Sequence, residues 1–203
     1  MRKASVELRA DPAYLQAFGK LIARIGKSLA GYTGKAIPVY VAGGAAVHLY
    51  TGARYSGDID ASLGRRMHLP DNLEVAYRDR DGVPRTLYYD MQYNDTLGLL
   101  HEDAHDASRP ITVPGVDPRR LDVRLLSPLD LAVSKVSRLE KHDREDILAL
   151  AQAGLIDSAS FRARAIEALP SYIGDETRVR NSIEIVCKLL GDVASGSKVS
   201  GRR

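Results

Sequence analysis

Asp58 and Asp60 stand one residue apart in the stretch 39–63, VYVAGGAAVHLYTGARYSGDIDASL. On a strand, side chains at i and i+2 point the same way, so both carboxylates would face one spot while Ile59 turns into the core. Two neighbouring carboxylates repel unless a cation lies between them. Hard oxygen donors of this kind suit Mg²⁺, which binds one or two carboxylates together with substrate phosphates. Upstream, the apolar run Val39-Tyr40-Val41 reads as a buried strand, and Gly43 and Gly44 follow it. A short helix from Ala45 to Tyr50, broken at Gly52, comes next. A glycine pair at a strand-to-helix turn lets backbone N–H groups approach a phosphate closely. Asp-x-Asp alone marks many exposed acidic strand ends; joined to the glycine turn, it points to metal and phosphate chemistry.

A third carboxylate would complete such a site. Asp90 lies among Leu87-Tyr88-Tyr89 and Met91, and a lone carboxylate in an apolar strand is costly unless paired or metal-bound. Tyr88, Asp90 and Gln92 would share one strand face. The plain alternative is an edge-strand aspartate facing water. Asp122, in the strand-like run 121–126, is the rival; it would point with Arg124 and could equally form a simple ion pair. Farther on, SPLDLAVSKVSRLEKHDREDILAL opens with Ser127 as N-cap and Pro128 at the first helical position. The helix is expected to run to Leu139, with Lys135 and Arg138 three apart on one face. Asp143 and Asp146 follow, in a charge run that could simply favour a helix N-terminus. The cluster His101-Glu102-Asp103-Ala104-His105-Asp106 matches no zinc spacing and has no cysteine nearby, so it reads as a solvated loop.

The glycine pair, short helix and Asp-x-Asp together resemble the nucleotidyltransferase superfamily. The added Thr51-Gly52-x-Arg54-x-Ser56-x-Asp58-Ile59-Asp60 stretch and the later lysine, arginine and Asp-x-x-Asp-Ile block are similar to the bacterial abortive-infection (AbiEii-like) and MenT-like toxins. The resemblance implies an α/β (α+β) fold, a mixed sheet flanked by helices, with a C-terminal helical domain. It implies a metal site of Asp58, Asp60 and Asp90 holding two Mg²⁺ ions, or Mn²⁺ in their place. Gly43 and Gly44 would cradle the NTP phosphates, assisted by Arg54 or Ser56. Lys135 would contact the phosphates, with Asp143 and Asp146 orienting it or touching the nucleotide. The implied acceptor is a tRNA 3′ end, and the implied partner an antitoxin protein. A small-molecule or protein acceptor shares the same metal site, and a catalytically silent nucleotide binder is the third reading. Which NTP is used, ATP or CTP among them, does not follow from the sequence.

The elements that must position these residues read as follows. Asp11-Pro12 caps a helix reaching about Tyr32, with apolar positions Leu15, Phe18, Leu21, Ile22, Ile25 and Leu29. Strands are expected at 73–77 and 86–93, joined by the turn Asp79-Arg80-Asp81-Gly82. Further strands are expected at 111–113 and 121–126. Helices follow at 161–169 and 175–190, the last closed by Gly191. The expected domains are residues 1–126, catalytic; 127–194, helical; and 195–203, a disordered basic tail.

The chain has 203 residues, a formal net charge of +3 and 44% hydrophobic residues. That suits one sizeable core or one core with a helical appendage. The charge is compatible with RNA without demanding it. No stretch is long and apolar enough to span a bilayer, and the N-terminus lacks the apolar region of a secretory signal. The single Cys187 excludes an intrachain disulfide and reads as a buried structural thiol. A cytoplasmic location is the expectation.

Overall fold

The structure is a computed structural model that describes residues 6–200, the side chains of 97 and 197–200 excepted. It is a mixed α and β fold with two compact units. The first comprises Met1–Tyr93 and Ser108–Leu126, the second Asn94–Ala107 and Ser127–Arg203. The chain therefore passes from one unit to the other three times.

In the first unit, helix α1 spans Pro12–Lys27. Asp11 caps it, its carboxylate accepting the N–H groups of Ala13 and Tyr14 at 2.7 and 3.1 Å. Tyr14, Phe18, Leu21, Ile22 and Ile25 form its buried stripe. The helix stops short of Tyr32 because tight turns take over: Ala30 donates to Lys27 and Tyr32 to Leu29. Strand β1, Ile37–Val41, lies inside a four-stranded sheet. It leads into helix α2, Gly43–Thr51, which ends on Gly52. Gly43 and Gly44 thus belong to the first turn of the helix, two residues earlier than expected.

Strand β2 is Asp58–Ile59 and strand β3 Ala61–Leu63. They belong to different sheets. β3 pairs antiparallel with β1, Val41 opposite Ala61. β2 pairs parallel with β5, Pro84–Tyr89, which forms a hairpin with β4, Glu74–Arg78. Asp60 is the residue at which the chain leaves one sheet for the other. The hairpin turn is as expected: Gly82 donates to Asp79, and the Asp79 carboxylate accepts the N–H of Asp81 and of Val83.

Strand β6 is Arg109–Pro110, two residues before the expected run, although Ile111 still donates to Val123. Proline cannot donate to a ladder, and β6 sits at the sheet edge, where that costs nothing. Strand β7, Leu121–Leu125, pairs parallel with β1, Ile37 opposite Leu121 and Val41 opposite Leu125.

The second unit is helical. The cluster 101–106, expected as a solvated loop, instead enters helix α3, Ala104–Ala107, and a 3₁₀ turn, Asp95–Leu97, precedes it. Leu99 and Ala104 are fully buried. Helix α4, Pro128–Ser134, starts as expected, Ser127 Oγ accepting from the Asp130 N–H, but ends five residues before Leu139. The chain must turn there to begin α5, Lys141–Gln152, whose capping box joins Glu140 and Asp143. Leu139 takes a left-handed φ of 51° to make that turn while remaining buried. Helix α6, Ser158–Ala168, and helix α7, Glu176–Ser200, pack on each other. Gly191 does not close α7: the helix runs on to Ser200, through most of the expected disordered tail. Residues 201–203 of that tail lie outside the described residues.

Arg164 of α6 ties two entering segments together, donating to Asp103 from one and to Asp130 from the other. Cys187 is buried and free. Among the described residues no helix is long and apolar enough to cross a membrane.

Candidate active site

The glycine pair and the Asp-x-Asp pair interlock. Gly43 has a φ of +59°, a conformation that favours glycine. A Cβ there would lie 1.8 Å from Asp60 Oδ2, so the carboxylate rests directly on the Gly43 backbone. A Cβ on Gly44 would meet Ser56 Oγ at 2.5 Å and Arg54 Nη2 at 2.9 Å. Ser56 Oγ in turn donates to Asp58 Oδ1 at 2.5 Å. Gly43, Gly44, Arg54, Ser56, Asp58 and Asp60 are therefore brought together. The N-cap of α2, Ala42, gives no side-chain hydrogen bond, and the first turn carries no acidic residue. The anion at this helix start comes from outside the helix, as the Asp60 carboxylate beside Gly43, where the positive dipole end favours it.

The register of β2 on β5 places the third carboxylate. Asp58 is opposite Tyr88 and Ile59 opposite Tyr89, and the Asp90 N–H donates to the Ile59 carbonyl at 3.1 Å. Asp90 therefore stands across from Asp60. Asp58, Asp60, Tyr88 and Asp90 occupy one face; Ile59, Leu87 and Tyr89 are buried on the other. Asp90 is partly exposed and one residue past the end of β5, so the cost of a carboxylate buried in a strand does not apply to it. Register, not desolvation, puts it near the pair. Its Oδ1 accepts the Gln92 N–H at 2.8 Å.

Two tyrosines register the same crowd of charge. The phenol of Tyr88, 48% exposed, is held above its ordinary pKa by Asp58 first, then burial, Asp90 and Asp60. Tyr14, on α1, is pushed up mainly by burial, with Tyr77, Asp58 and Asp60 adding and Arg54 opposing. The Tyr14 hydroxyl is fully buried and finds no hydrogen-bond partner among the described residues. Sequence reasoning had Tyr88 on the right face without assigning it to the site. Tyr14 carried no signal, because only tertiary packing brings α1 there. Its ring lies on His48, 4.3 Å between centroids, and burial holds the His48 imidazole below its ordinary range.

The donor chemistry fits a hard divalent cation: carboxylates only, on one face, beside a cradle that a side chain at Gly43 would fill. The side chains do not converge fully. Among the described residues no group of three or more His, Cys, Asp or Glu is arranged to hold a metal ion. The rival Asp122 pairs with Arg124 at 3.0 Å, and Arg124 is anchored on Ser108. Asp122 stands opposite Pro38, four residues before Ala42, which is roughly 13 Å along the strand. The Ala42 N–H, by contrast, donates to the Asp60 carbonyl at 2.8 Å.

In the second unit, Lys135, Asp143 and Asp146 are brought together and buried. Lys135 Nζ lies 2.8 Å from Asp146 Oδ2 and 3.7 Å from Asp143 Oδ1. Asp143 also accepts both Nε and Nη2 of Arg138 at 2.9 Å, and the Glu140 N–H at 2.9 Å. Burial pushes the Asp143 carboxyl up, but Arg138, the Glu140 N–H and Lys135 outweigh it and leave it below the ordinary range. Lys135 and Arg138 do not share a helical face, since α4 has ended; the turn between α4 and α5 carries both to Asp143.

No curated protein matches the chain. Residues 17–187 match the family described as "Nucleotidyltransferase of unknown function (DUF6036)". That span runs from within α1 to about the midpoint of α7 and includes every residue of both clusters, and the chain belongs to this nucleotidyltransferase family.

Proposed function

We propose that the chain transfers a nucleoside monophosphate from an NTP to an acceptor hydroxyl at the face bearing Asp58, Asp60 and Asp90. The observation that carries this is the contact of Asp60 with Gly43: the anion-binding helix start and the carboxylate pair share one place. In the reaction the acceptor oxygen forms a bond to the α-phosphorus, the α–β anhydride bond breaks, and pyrophosphate leaves. The first-turn N–H groups of α2, with Arg54 and Ser56, hold the phosphates and orient them. Asp58, Asp60 and Asp90 would hold Mg²⁺, which when bound supplies activation of the acceptor hydroxyl and neutralisation of the triphosphate charge. The closed ion pairs of Lys135 support an orienting role for Asp143 and Asp146.

The acceptor we propose is a tRNA 3′ end, and the role that of a toxin neutralised by an antitoxin protein. Both rest on the resemblance of the two motif blocks to the AbiEii-like and MenT-like proteins. The test is transfer of label from each α-labelled NTP to total bacterial tRNA, with Asp60→Asn as control. Label on tRNA that the variant abolishes supports the whole reading. Label on a protein or small metabolite instead moves the acceptor and keeps the chemistry. NTP binding with no transfer to any acceptor overturns the proposal in favour of a silent binder.

A further inference from the structure

Charge is unevenly spread in the first unit. One end of β1 leads to Gly43 and Asp60. At the other end, Ile37 donates to the Arg120 carbonyl at 2.9 Å, and Arg120 Nη1 reaches the Gly26 carbonyl at 3.4 Å, beside Lys27. β3 finishes at this end too. Gly64 donates to the Pro38 carbonyl at 2.9 Å, so Arg65 and Arg66 leave the sheet here. The Arg65 guanidinium lies over the Tyr32 ring, 5.3 Å from its centroid, and Lys35 precedes β1 by two residues. Lys27, Lys35, Arg65, Arg66, Arg119 and Arg120 are thus gathered at one end of the four-stranded sheet. Residues 24–38 and 63–68 contain no acid. The stretch 116–121 contains one, Asp117, paired with Arg119 at 3.1 Å and Arg120 at 3.9 Å. Against these six cations stand Asp117 and, opposite Pro38, Asp122, itself paired with Arg124 at 3.0 Å, so positive charge stays in excess at this end. All but Arg120 are classed as exposed, and Arg120 is partly so.

We propose that this end of the sheet docks the phosphate backbone of a structured RNA, the duplex part of an acceptor whose unpaired 3′ end reaches the Asp60 face. The path of the 3′ end rests on the transferase reading; the docking rests on the charge. Five residues of β1, roughly 13 Å from first to last Cα, separate the basic end from the glycine turn, a span for a few unpaired nucleotides. Arginine suits phosphate geometry, and duplex RNA is recognised through backbone and shape rather than base edges. A lipid surface fits less well. None of the large exposed apolar residues, such as Met91, Ile173 and Ile185, belongs to these segments.

The test is binding of the full chain to a labelled RNA hairpin with an unpaired 3′ tail, without NTP or divalent cation, across a salt series. The double variant Arg65→Gln/Arg66→Gln is expected to bind roughly tenfold more weakly at low salt and to lose about 1–2 from the log–log salt slope. Lys27→Gln/Lys35→Gln is a second, independent variant with the same expected direction. Asp60→Asn is expected to keep RNA binding while losing transfer. Unchanged RNA affinity in both folded double variants overturns the proposal. So does binding of poly-glutamate as tightly as RNA, which would assign the surface to an acidic protein. Intact, salt-sensitive docking in a chain that transfers nothing would sink the transferase reading and leave this one standing.

Discussion

The molecule treats two groups of aspartates in opposite ways. Asp143 and Asp146 are buried, with Lys135 between them and Arg138 in bidentate contact with Asp143. Their charge is balanced inside the fold. Asp58, Asp60 and Asp90 lie partly exposed on one face, close enough together to raise the phenol of Tyr88. The first group spends its charge on holding a turn and a helix start in place. The second lies partly exposed at the start of α2, with Asp60 on the Gly43 backbone and Asp58 accepting from Ser56. The buried group holds its charge in closed pairs, whereas the partly exposed group brings three like charges onto one face, where the proposed reaction would place a cation.

The sharpest way to break that contrast is Asp58→Asn or Asp60→Asn. Transfer is expected to fall by at least about 10²–10³, the usual scale for removing a key electrostatic group, while the melting temperature barely moves. A large loss of stability in either variant would show that the face is structural after all. Asp143→Ala reverses the pattern: it takes away one of the two carboxylates beside buried Lys135 and the acceptor of the Arg138 guanidinium and the Glu140 N–H, and is expected to cost about 3 kcal/mol in urea denaturation. The pH dependence has a definite sign. The folded pKa of Asp143 is lowered, so its stabilisation is present above its unfolded pKa of about 3.9 and is lost as pH falls through the folded value. Asp143→Asn should flatten that acid limb of a stability–pH curve. Gly43→Ala tests the interlock. Its methyl would strike the Asp60 carboxylate at a left-handed φ, so activity should drop together with about 1–2 kcal/mol of stability. The smallest effect is expected for Asp122→Asn, within about 0.5 kcal/mol and with transfer unchanged, whereas Asp90→Asn should impair transfer.

Local signals carried the reading of the chain a long way. Asp11-Pro12, the Asp79–Gly82 turn and Ser127-Pro128 each act through their own neighbours, and each does what its residue types suggest. The coupling of Gly43 to the Asp-x-Asp pair was visible in spacing. Its geometry was not, because Asp60 sits where the chain changes sheets, and nothing local marks that switch. The sequence argues for Asp90 through burial, which it does not have; the register with β2 is what brings it near the pair. α4 ends at Ser134 and the Glu140–Asp143 capping box starts a separate helix, which propensity alone does not foretell. Ala104 is fully buried, so a cluster that reads as solvated loop contributes to the core.

The pairing of β1 with β7 has a consequence for how the protein is made. Val41 and Leu121 are eighty residues apart, and β3 can join β1 long before β7 exists. At about 5–20 residues per second, that leaves one edge of β1 without its partner for roughly 4–16 seconds on the ribosome. An open apolar edge is a template for wrong pairing. A nascent chain stalled before Leu121 would therefore carry the glycine turn, Asp58 and Asp60 on a sheet that cannot close. Translation pace and chaperone access over that interval would govern how much active protein a cell obtains.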